Sequence, residues 1–177
     1  MEKIVKILTA GEGGVGKTTF LNRYINNNFV SNFTMTRGIQ FFGKTMKLKG
    51  SIYNLVLWDF AGQYCYRHLL SNLVKGASGA FFLFDLTRIS SIDRIEEWMH
   101  LFTEREDKPV LLVGTKGDLV NAEEEAKYNF FTDEIKKRFS NCIGYVKTSS
   151  KTGHNIELAF NTLLKKVFEN KKYTPFI

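Results

Sequence analysis

Short apolar segments alternate with amphipathic segments along this 177-residue chain. The apolar runs at 80–84 and 110–113 have no polar interruption, as in central parallel strands that are buried on both faces. Apolar residues at helical spacing mark the segments 92–102 and 156–167 instead. The alternation predicts an α/β fold in three layers, with helices on both faces of a mostly parallel six-stranded sheet.

The same patterns place the individual elements along the chain. Strands are predicted at 4–9, 39–48, 52–58, 80–84, 110–113 and 142–146. Helices are predicted at 19–27, 92–102, 121–139 and 156–167. Only three residues separate the second and third strands. So short a turn joins antiparallel neighbours, and one strand is therefore expected to run against the others.

Two details of the predicted helices can be tested separately. Ser90, with Asp93 three residues later, is the predicted N-cap of the 92–102 helix. The 121–139 helix is acidic at its start and basic near its end, as the helix dipole favours. Thr132 marks a candidate break within it.

Composition and charge restrict the class of protein. Length and 44% apolar residues predict one domain over residues 1–177. Lys and Arg number 25 against 18 Asp and Glu, a net charge of +7, and residues 13–58 contain no acid. This excess leaves a nucleic-acid-binding protein open as an alternative, with Phe41 and Phe42 as candidate base stackers. At strand spacing, however, two such side chains divide more readily between core and surface.

Nothing in the sequence indicates a membrane span, a metal-binding cysteine cluster or a lipid anchor. Cys65 and Cys142 are far apart and are expected to be reduced thiols of a cytoplasmic protein. No apolar run is long enough to cross a bilayer, and Glu2 stands where myristoylation needs glycine. Residues 172–177 contain no cysteine to lipidate. Membrane contact is therefore expected to be at most peripheral, through a partner.

The stretch between the first strand and the first helix carries the strongest chemical signal, with the sequence Gly11-Glu12-Gly13-Gly14-Val15-Gly16-Lys17-Thr18. Its glycines let the backbone bend around a phosphate chain, so that successive N–H groups point inward. Lys17 adds a charge near the terminal phosphates, and the hydroxyl of Thr18 can reach Mg²⁺. The spacing predicts a loop that binds a nucleoside triphosphate, and Thr19 continues it into the helix.

A second group of candidate residues follows the third strand. Asp59 ends that strand and can hold a magnesium shell. Gly62 can lend an N–H to a terminal phosphate, and the amide of Gln63 can both accept from and donate to an attacking water. An Asp and a Gly at this spacing are a weak signal by themselves, and they gain weight from their order after the phosphate loop.

Two further motifs follow later strands, Gly114-Thr115-Lys116-Gly117-Asp118 and Thr148-Ser149-Ser150-Lys151. With the phosphate loop, Thr36 and the Asp59 motif, these motifs in this order resemble those of small GTPases of the Ras superfamily, from about residue 3 to residue 168. The resemblance implies a P-loop NTPase fold, GTP and GDP as ligands, and Mg²⁺ as cofactor.

The resemblance also implies a role for each matching residue. Asp118 would accept two hydrogen bonds from guanine, Lys116 would lay its stem over the base, and Ser150 would donate its N–H to the guanine carbonyl. Phe29 would stack on the base. Thr36 would bind Mg²⁺ only while the terminal phosphate is present. The full set of nucleotide-binding residues implied in this way is Gly13, Gly14, Val15, Gly16, Lys17, Thr18, Thr19, Phe29, Thr36, Gly62, Thr115, Lys116, Asp118, Ser149, Ser150 and Lys151.

Metal ligands and catalytic residues are implied in the same way. Thr18, Thr36 and Asp59 would hold Mg²⁺, while Lys17 and Gly62 would neutralise charge and Gln63 would orient water. The sequence departs from the family pattern at Thr115, where Asn is usual. It also departs at Ser150, Phe60 and Tyr64, where Ala, Thr and Glu are usual.

These implications favour a slowly hydrolysing GTP switch. The switch segments would contact effectors, exchange factors and activating proteins through residues 30–49 and 60–76. A module that binds GTP without hydrolysing it remains the alternative. Arg37, which adjoins Thr36, is a further candidate as an arginine finger supplied in cis.

Overall fold

A computed structural model describes residues 3–29, 38–48, 50–60 and 74–169. Within these ranges six strands form one sheet in the order β2-β3-β1-β4-β5-β6. The strands are β1 Lys3–Gly11, β2 Ile39–Leu48, β3 Ser51–Phe60, β4 Gly79–Asp85, β5 Val110–Thr115 and β6 Cys142–Lys147. β2 pairs antiparallel with β3, and the other neighbouring pairs are parallel. The predicted mostly parallel sheet with one antiparallel strand is confirmed.

Four α-helices cover the two faces of this sheet in the described part of the chain. They are α1 Lys17–Asn26, α2 Ile95–Glu106, α3 Ala122–Arg138 and α4 Ile156–Glu169. Two short 3-10 turns, Ile89–Ile92 and Gly117–Leu119, follow β4 and β5 respectively. Each of the four predicted helices is present, with ends displaced by a few residues.

Alternate residues of the central strands build two separate hydrophobic clusters. On one face Phe81 and Leu83 pack with Phe20 of α1 and Phe160 of α4. On the other face Phe82 and its neighbours pack with residues of α2 and α3. Every residue of β4 and β5 is buried, as continuous apolar runs predict for strands covered on both sides.

Two of the predicted helix details are wrong. Ser90 does not cap α2, because residues 89–92 form a 3-10 turn and the α-helix begins only at Ile95 without a side-chain cap. The neighbouring Ser91, fully buried, bonds the backbone of Asp85 instead. No break occurs at Thr132, since α3 is continuous from Ala122 to Arg138. The Thr132 hydroxyl donates to the carbonyl of Asn129 within the helix.

Phe41 and Phe42 divide between surface and core, as their strand spacing predicts. Phe41 is 60% exposed and lies edge-on against Trp58, whereas Phe42 packs against the hydrophobic cluster that contains Phe20 and Phe160. Cys142 is a free, buried thiol, and Cys65 lies outside the described residues. Among the described residues no helix combines the length and apolarity needed to cross a bilayer.

Candidate functional site

The predicted site residues collect at one edge of the sheet. The parallel strands β1, β3, β4, β5 and β6 all end at this edge, and β1 lies between β3 on one side and β4 on the other, so that the chain crosses to the other side of β1 after β3. Ligands of open α/β sheets bind at such carboxyl ends, next to the strand where the order reverses. The sheet topology therefore brings the phosphate loop, Asp59, Lys116 and Ser149 to a common edge.

The phosphate loop connects β1 to α1 through three glycines with positive φ. Gly11, Gly14 and Gly16 have φ of 144°, 74° and 95°, in the region that favours glycine. At Gly11 a Cβ would also lie 2.2 Å from the carbonyl oxygen of Leu83 in β4. Glycine is thus required there by backbone conformation and by the close approach of a neighbouring strand.

The carbonyl groups of this loop are held by donors. Five of them have a donor within hydrogen-bond distance: Gly11 and Glu12 from the Lys17 ammonium at 3.0 and 2.7 Å, Gly13 from the Arg88 guanidinium at 2.8 Å, Val15 from the Thr115 hydroxyl at 2.6 Å, and Gly16 from the Phe20 N–H at 2.9 Å. In a trans peptide the C=O and the following N–H point in opposite directions. Where a donor holds the carbonyl of one loop residue, the N–H of the next residue points the opposite way, and such N–H groups can form an anion-binding concavity.

Lys17 is the cation of this concavity, and its side chain is only 6% exposed. Burial lowers the pKa of its ammonium to about 8, although the negative charges of Asp59 and Glu12 act in the opposite direction. The nearby charge of Arg88 lowers that pKa further. Two neutral carbonyls accept hydrogen bonds from this buried ammonium, and an added anion such as a phosphate chain would stabilise its charge further.

Asp59 and Thr18 form the part of the site that could hold a metal. Thr18 begins α1 beside Lys17, and its hydroxyl donates to one carboxylate oxygen of the fully buried Asp59. Burial raises the pKa of the Asp59 carboxyl, and the Thr18 hydrogen bond and the Lys17 charge offset only part of that effect. Among the described residues, the second carboxylate oxygen has no hydrogen-bond partner. A buried carboxylate oxygen without a partner beside a hydroxyl fits Mg²⁺, which prefers oxygen ligands.

Lys116 and Asp85 form the centre of the predicted base-reading region. Lys116 lies directly after β5 in the left-handed region at φ 57°, and its ammonium is 2.6 Å from an oxygen of Asp85 at the end of β4. Burial alone would raise the pKa of Asp85, but hydrogen bonds from Lys116 and Thr87 lower it below its usual value. The ion pair fixes the Lys116 side chain over this end of the sheet.

The loops that follow β5 and β6 are joined by further hydrogen bonds. The Ser149 hydroxyl donates to Asp118 at 2.6 Å, and the Thr148 N–H donates to the Gly114 carbonyl at 2.7 Å. Thr115, at the predicted Asn position, uses its hydroxyl to reach the phosphate loop at Val15. The Thr at this position therefore links the two loops that the sequence assigns to phosphate and to base.

Some predicted site residues cannot be placed. Thr36, Gly62 and Gln63 lie outside the described residues, as does Arg37. Phe29 is described and is 38% exposed, just beyond α1. The side chains of Ser150 and Lys151 follow β6 at the same edge of the sheet.

Two residues that contact the site were missed in the sequence. Asp85 pairs with Lys116, and Arg88 holds the phosphate loop. Asp85 ends a buried apolar strand, and a charged residue at a strand's carboxyl end is the signal that could have identified it. Arg88 had no comparable signal, because it lies 75 residues from the loop carbonyl that it contacts.

The fold and this edge define a P-loop nucleotide-binding protein with an α/β sheet. The sequence model of the Ras family matches residues 6–169. The chain belongs to the Ras family, and it is a small GTPase of the Ras superfamily, as the order of its motifs predicts.

The chain is also similar to individual Ras-related proteins over most of its length. The chain is 32% identical to "Ras-related protein Rab-11B" of Dictyostelium discoideum, over 97% of this chain and 79% of that protein. It is 34% identical to human "Ras-related protein Rab-25", over 93% of this chain and 76% of that protein. It is 30% identical to "Ras-related protein RGP2" of Oryza sativa subsp. japonica, over 93% and 75% respectively.

Proposed function

We propose that this protein is a molecular switch that binds GTP or GDP with Mg²⁺ and slowly hydrolyses GTP to GDP and phosphate. The observation that carries the proposal is the 2.6 Å contact between the Thr115 hydroxyl and the Val15 carbonyl. This contact holds the base-reading loop against the phosphate loop, so that one nucleotide can touch both.

At the phosphate end, the loop N–H groups and Lys17 would bind the phosphate chain. They would neutralise the charge that builds on its oxygens during transfer. Thr18 and Asp59 would hold Mg²⁺, which when bound offsets the charge of the terminal phosphates. Thr36 is proposed as a further magnesium ligand from the first switch segment.

At the base end, Asp118 would accept from both guanine donors, and Ser149 would orient that carboxylate through the hydrogen bond already present. A site built around a carboxylate leaves that group unpaired against adenine, which gives strong discrimination. The Lys116 stem, held by Asp85, and the ring of Phe29 would flank the base, and the Ser150 N–H would contact its carbonyl.

For hydrolysis, Gln63 would orient the attacking water and Gly62 would donate to the terminal phosphate. Gly13 has no side chain to crowd that Gln. Without an arginine supplied by a partner, turnover on the order of 10⁻⁴ to 10⁻² per second is typical of this class. Loss of the terminal phosphate would release the two switch segments, which partners would read.

The proposed partner surface comprises residues 30–49 and 60–76. In its described part, Phe41 is 60% exposed and lies edge-on against Trp58, which adjoins this surface. The Lys6 ammonium lies 3.6 Å from the Trp58 ring centroid. Aromatic groups beside basic ones favour a partner with acidic residues around an apolar centre. Effectors should therefore bind this face preferentially in the GTP form.

The test is a single-turnover assay on the full chain, stripped of nucleotide and loaded with GTP and Mg²⁺. The ratio of GDP to GTP is followed by chromatography, with ATP as the matched control nucleotide and the Gln63→Leu variant as the catalytic control. We expect GDP to form within hours in the wild type and much more slowly in Gln63→Leu, and ATP to bind at least 100-fold more weakly.

Two outcomes would contradict the proposal in different ways. Tight GTP binding with no GDP after a day would favour the non-hydrolysing module. Equal affinity for GTP and ATP would show that Asp118 does not select guanine.

A further inference from the structure

The peptide between Gly13 and Gly14 is the part of the phosphate loop that its own side chains restrain least. Both flanking residues lack a Cβ, and Gly14 has φ of 74° with open space where a Cβ would stand. Sterics alone would let this peptide rotate. Because C=O and N–H of one peptide point in opposite directions, whatever holds the Gly13 carbonyl also decides where the Gly14 N–H points.

Arg88 is the residue that holds this carbonyl. Its guanidinium nitrogen lies 2.8 Å from the Gly13 oxygen, across 75 residues of sequence. The contact is a hydrogen bond from a charged donor, which is stronger than one between neutral groups. The carbonyl is thereby drawn toward the turn after β4 and away from the concavity of the loop.

The backbone of Arg88 is itself fixed. Its N–H donates to the Asp85 carbonyl at 3.0 Å, and its carbonyl accepts from the Ser91 hydroxyl at 2.6 Å. Ser91 is fully buried. Arg88 therefore projects from a rigid turn, although its side chain is exposed.

A second cation reaches the same loop from the start of α2. The Arg94 guanidinium lies 3.1 Å from the carboxylate of Glu12, the residue before Gly13. The side chains of Arg94 and Glu12 are 40% and 25% exposed, so this ion pair should contribute little to stability by itself. Arg88 and Arg94, which both bind the phosphate loop, therefore both lie on the segment between β4 and α2.

We propose that Arg88 is a positioning residue of the nucleotide site, which keeps the Gly14 N–H directed at the phosphate chain by holding the Gly13 carbonyl outward. The inference rests on the proposed nucleotide binding and assigns part of its affinity to a residue outside the recognised motifs. Loss of Arg88 lets the Gly13–Gly14 peptide rotate, and the bound nucleotide leaves faster.

The experiment measures release of a fluorescent GDP analogue, and of a fluorescent non-hydrolysable GTP analogue, from the full chain with Mg²⁺. Arg88→Met removes the charged donor and keeps most of the stem, and Arg88→Lys restores a charged donor. Arg138→Met is the matched control, because Arg138 is also an exposed arginine, but it pairs with Glu96 of α2 and not with a carbonyl of the phosphate loop.

We expect Arg88→Met to release both analogues about tenfold faster, the loss expected of one charge-assisted hydrogen bond. Arg88→Lys should recover most of that loss, and Arg138→Met should match the wild type. The amide resonance of Gly14 in the GDP state should shift in Arg88→Met and stay in place in Arg138→Met. Thermal midpoints of the three variants should stay close to that of the wild type.

Release rates from Arg88→Met within twofold of the wild type would overturn the inference, as would an Arg88→Lys variant no slower than Arg88→Met. Failure of the proposed function looks different: the wild type itself would then show no tight binding of either analogue.

Discussion

The two ends of the candidate site are built differently. At the phosphate end, three glycines have positive φ, Lys17 is buried, and one oxygen of Asp59 has no hydrogen-bond partner in the part of the chain that the structure describes. At the base end, Lys116 pairs with Asp85, and Ser149 bonds Asp118. One end carries buried charge that its own residues only partly compensate, whereas the other has its charged groups paired.

This difference indicates what each end gains from a ligand. Buried polar groups without full pairing are costly, so an anion and a cation bound at the phosphate end would relieve a cost that folding left in place. At the base end the Lys116–Asp85 and Ser149–Asp118 contacts are already formed without a ligand, so this end would contribute mainly selectivity for the base. Affinity should therefore depend mostly on the phosphate end, and the identity of the base on the other.

Replacing the lysine at each end of the site by Met should give the largest difference in nucleotide affinity between the two ends. Lys17→Met should weaken GDP binding about 10³-fold, or about 4 kcal/mol, because it removes a buried charge from the phosphate contact. Lys116→Met should cost only about tenfold, because that ammonium is 39% exposed and already paired. Calorimetric titration of nucleotide-stripped protein measures both. Equal losses would remove the distinction between the two ends.

Glycine substitutions compare the rigidity of the two ends. Gly11→Ala should lower the free energy of unfolding by about 3 kcal/mol, since its Cβ would lie 2.2 Å from a backbone carbonyl oxygen of β4. Gly117→Ala should cost less, about 2 kcal/mol, because its Cβ would lie 2.8 Å from the Lys147 side chain, which can shift, and 3.0 Å from the Thr148 carbonyl oxygen.

Urea unfolding with the nucleotide state held constant distinguishes these variants. A Gly117→Ala variant as unstable as Gly11→Ala would show that the base end is no more adaptable than the phosphate end.

The Asp85–Lys116 pair gives the base end a predicted pH dependence. The folded pKa of Asp85 is lowered below its ordinary value of 3.8, so its contribution to stability is fully present above that value and is lost as pH falls through the lowered folded pKa. Asp85→Asn should therefore reduce stability by about 2 kcal/mol at pH 7, and this difference should shrink at pH 3.

Thermal unfolding of both proteins across that range checks the sign. A difference between wild type and Asp85→Asn that grows toward acid would contradict the assigned cause.

The effect of Mg²⁺ on the rate of GDP release should also differ between variants of the two ends, by a smaller factor. In the wild type, Mg²⁺ should slow GDP release about tenfold or more relative to chelator, and Asp59→Ala should lose most of that effect. Asp118→Asn should weaken GDP binding yet keep the ratio of rates with and without Mg²⁺. An unchanged magnesium effect in Asp59→Ala would exclude Asp59 from the metal site.

Much of the fold could be predicted because its signals are local. The apolar runs of β4 and β5 and the helical spacing of α4 depend only on neighbouring residues, and the three residues between the predicted strands 39–48 and 52–58 are enough to predict that β2 and β3 pair antiparallel. The start of α2 could not be predicted in this way. Residues 89–92 form a 3-10 turn ahead of the helix, where Ser91 binds the backbone of Asp85 at the buried carboxyl end of β4.

For the site, the sequence by itself determined which residue types follow which strands: the phosphate loop, Asp59, Thr115 to Asp118, and Ser149. Local motifs carry this information because phosphate and guanine need particular groups at fixed spacing. Only the tertiary structure decided that Asp85 would pair with Lys116 and that Arg88 would hold Gly13. These contacts join residues 31 and 75 positions apart, and only the order of strands in the sheet brings them within a hydrogen bond of each other.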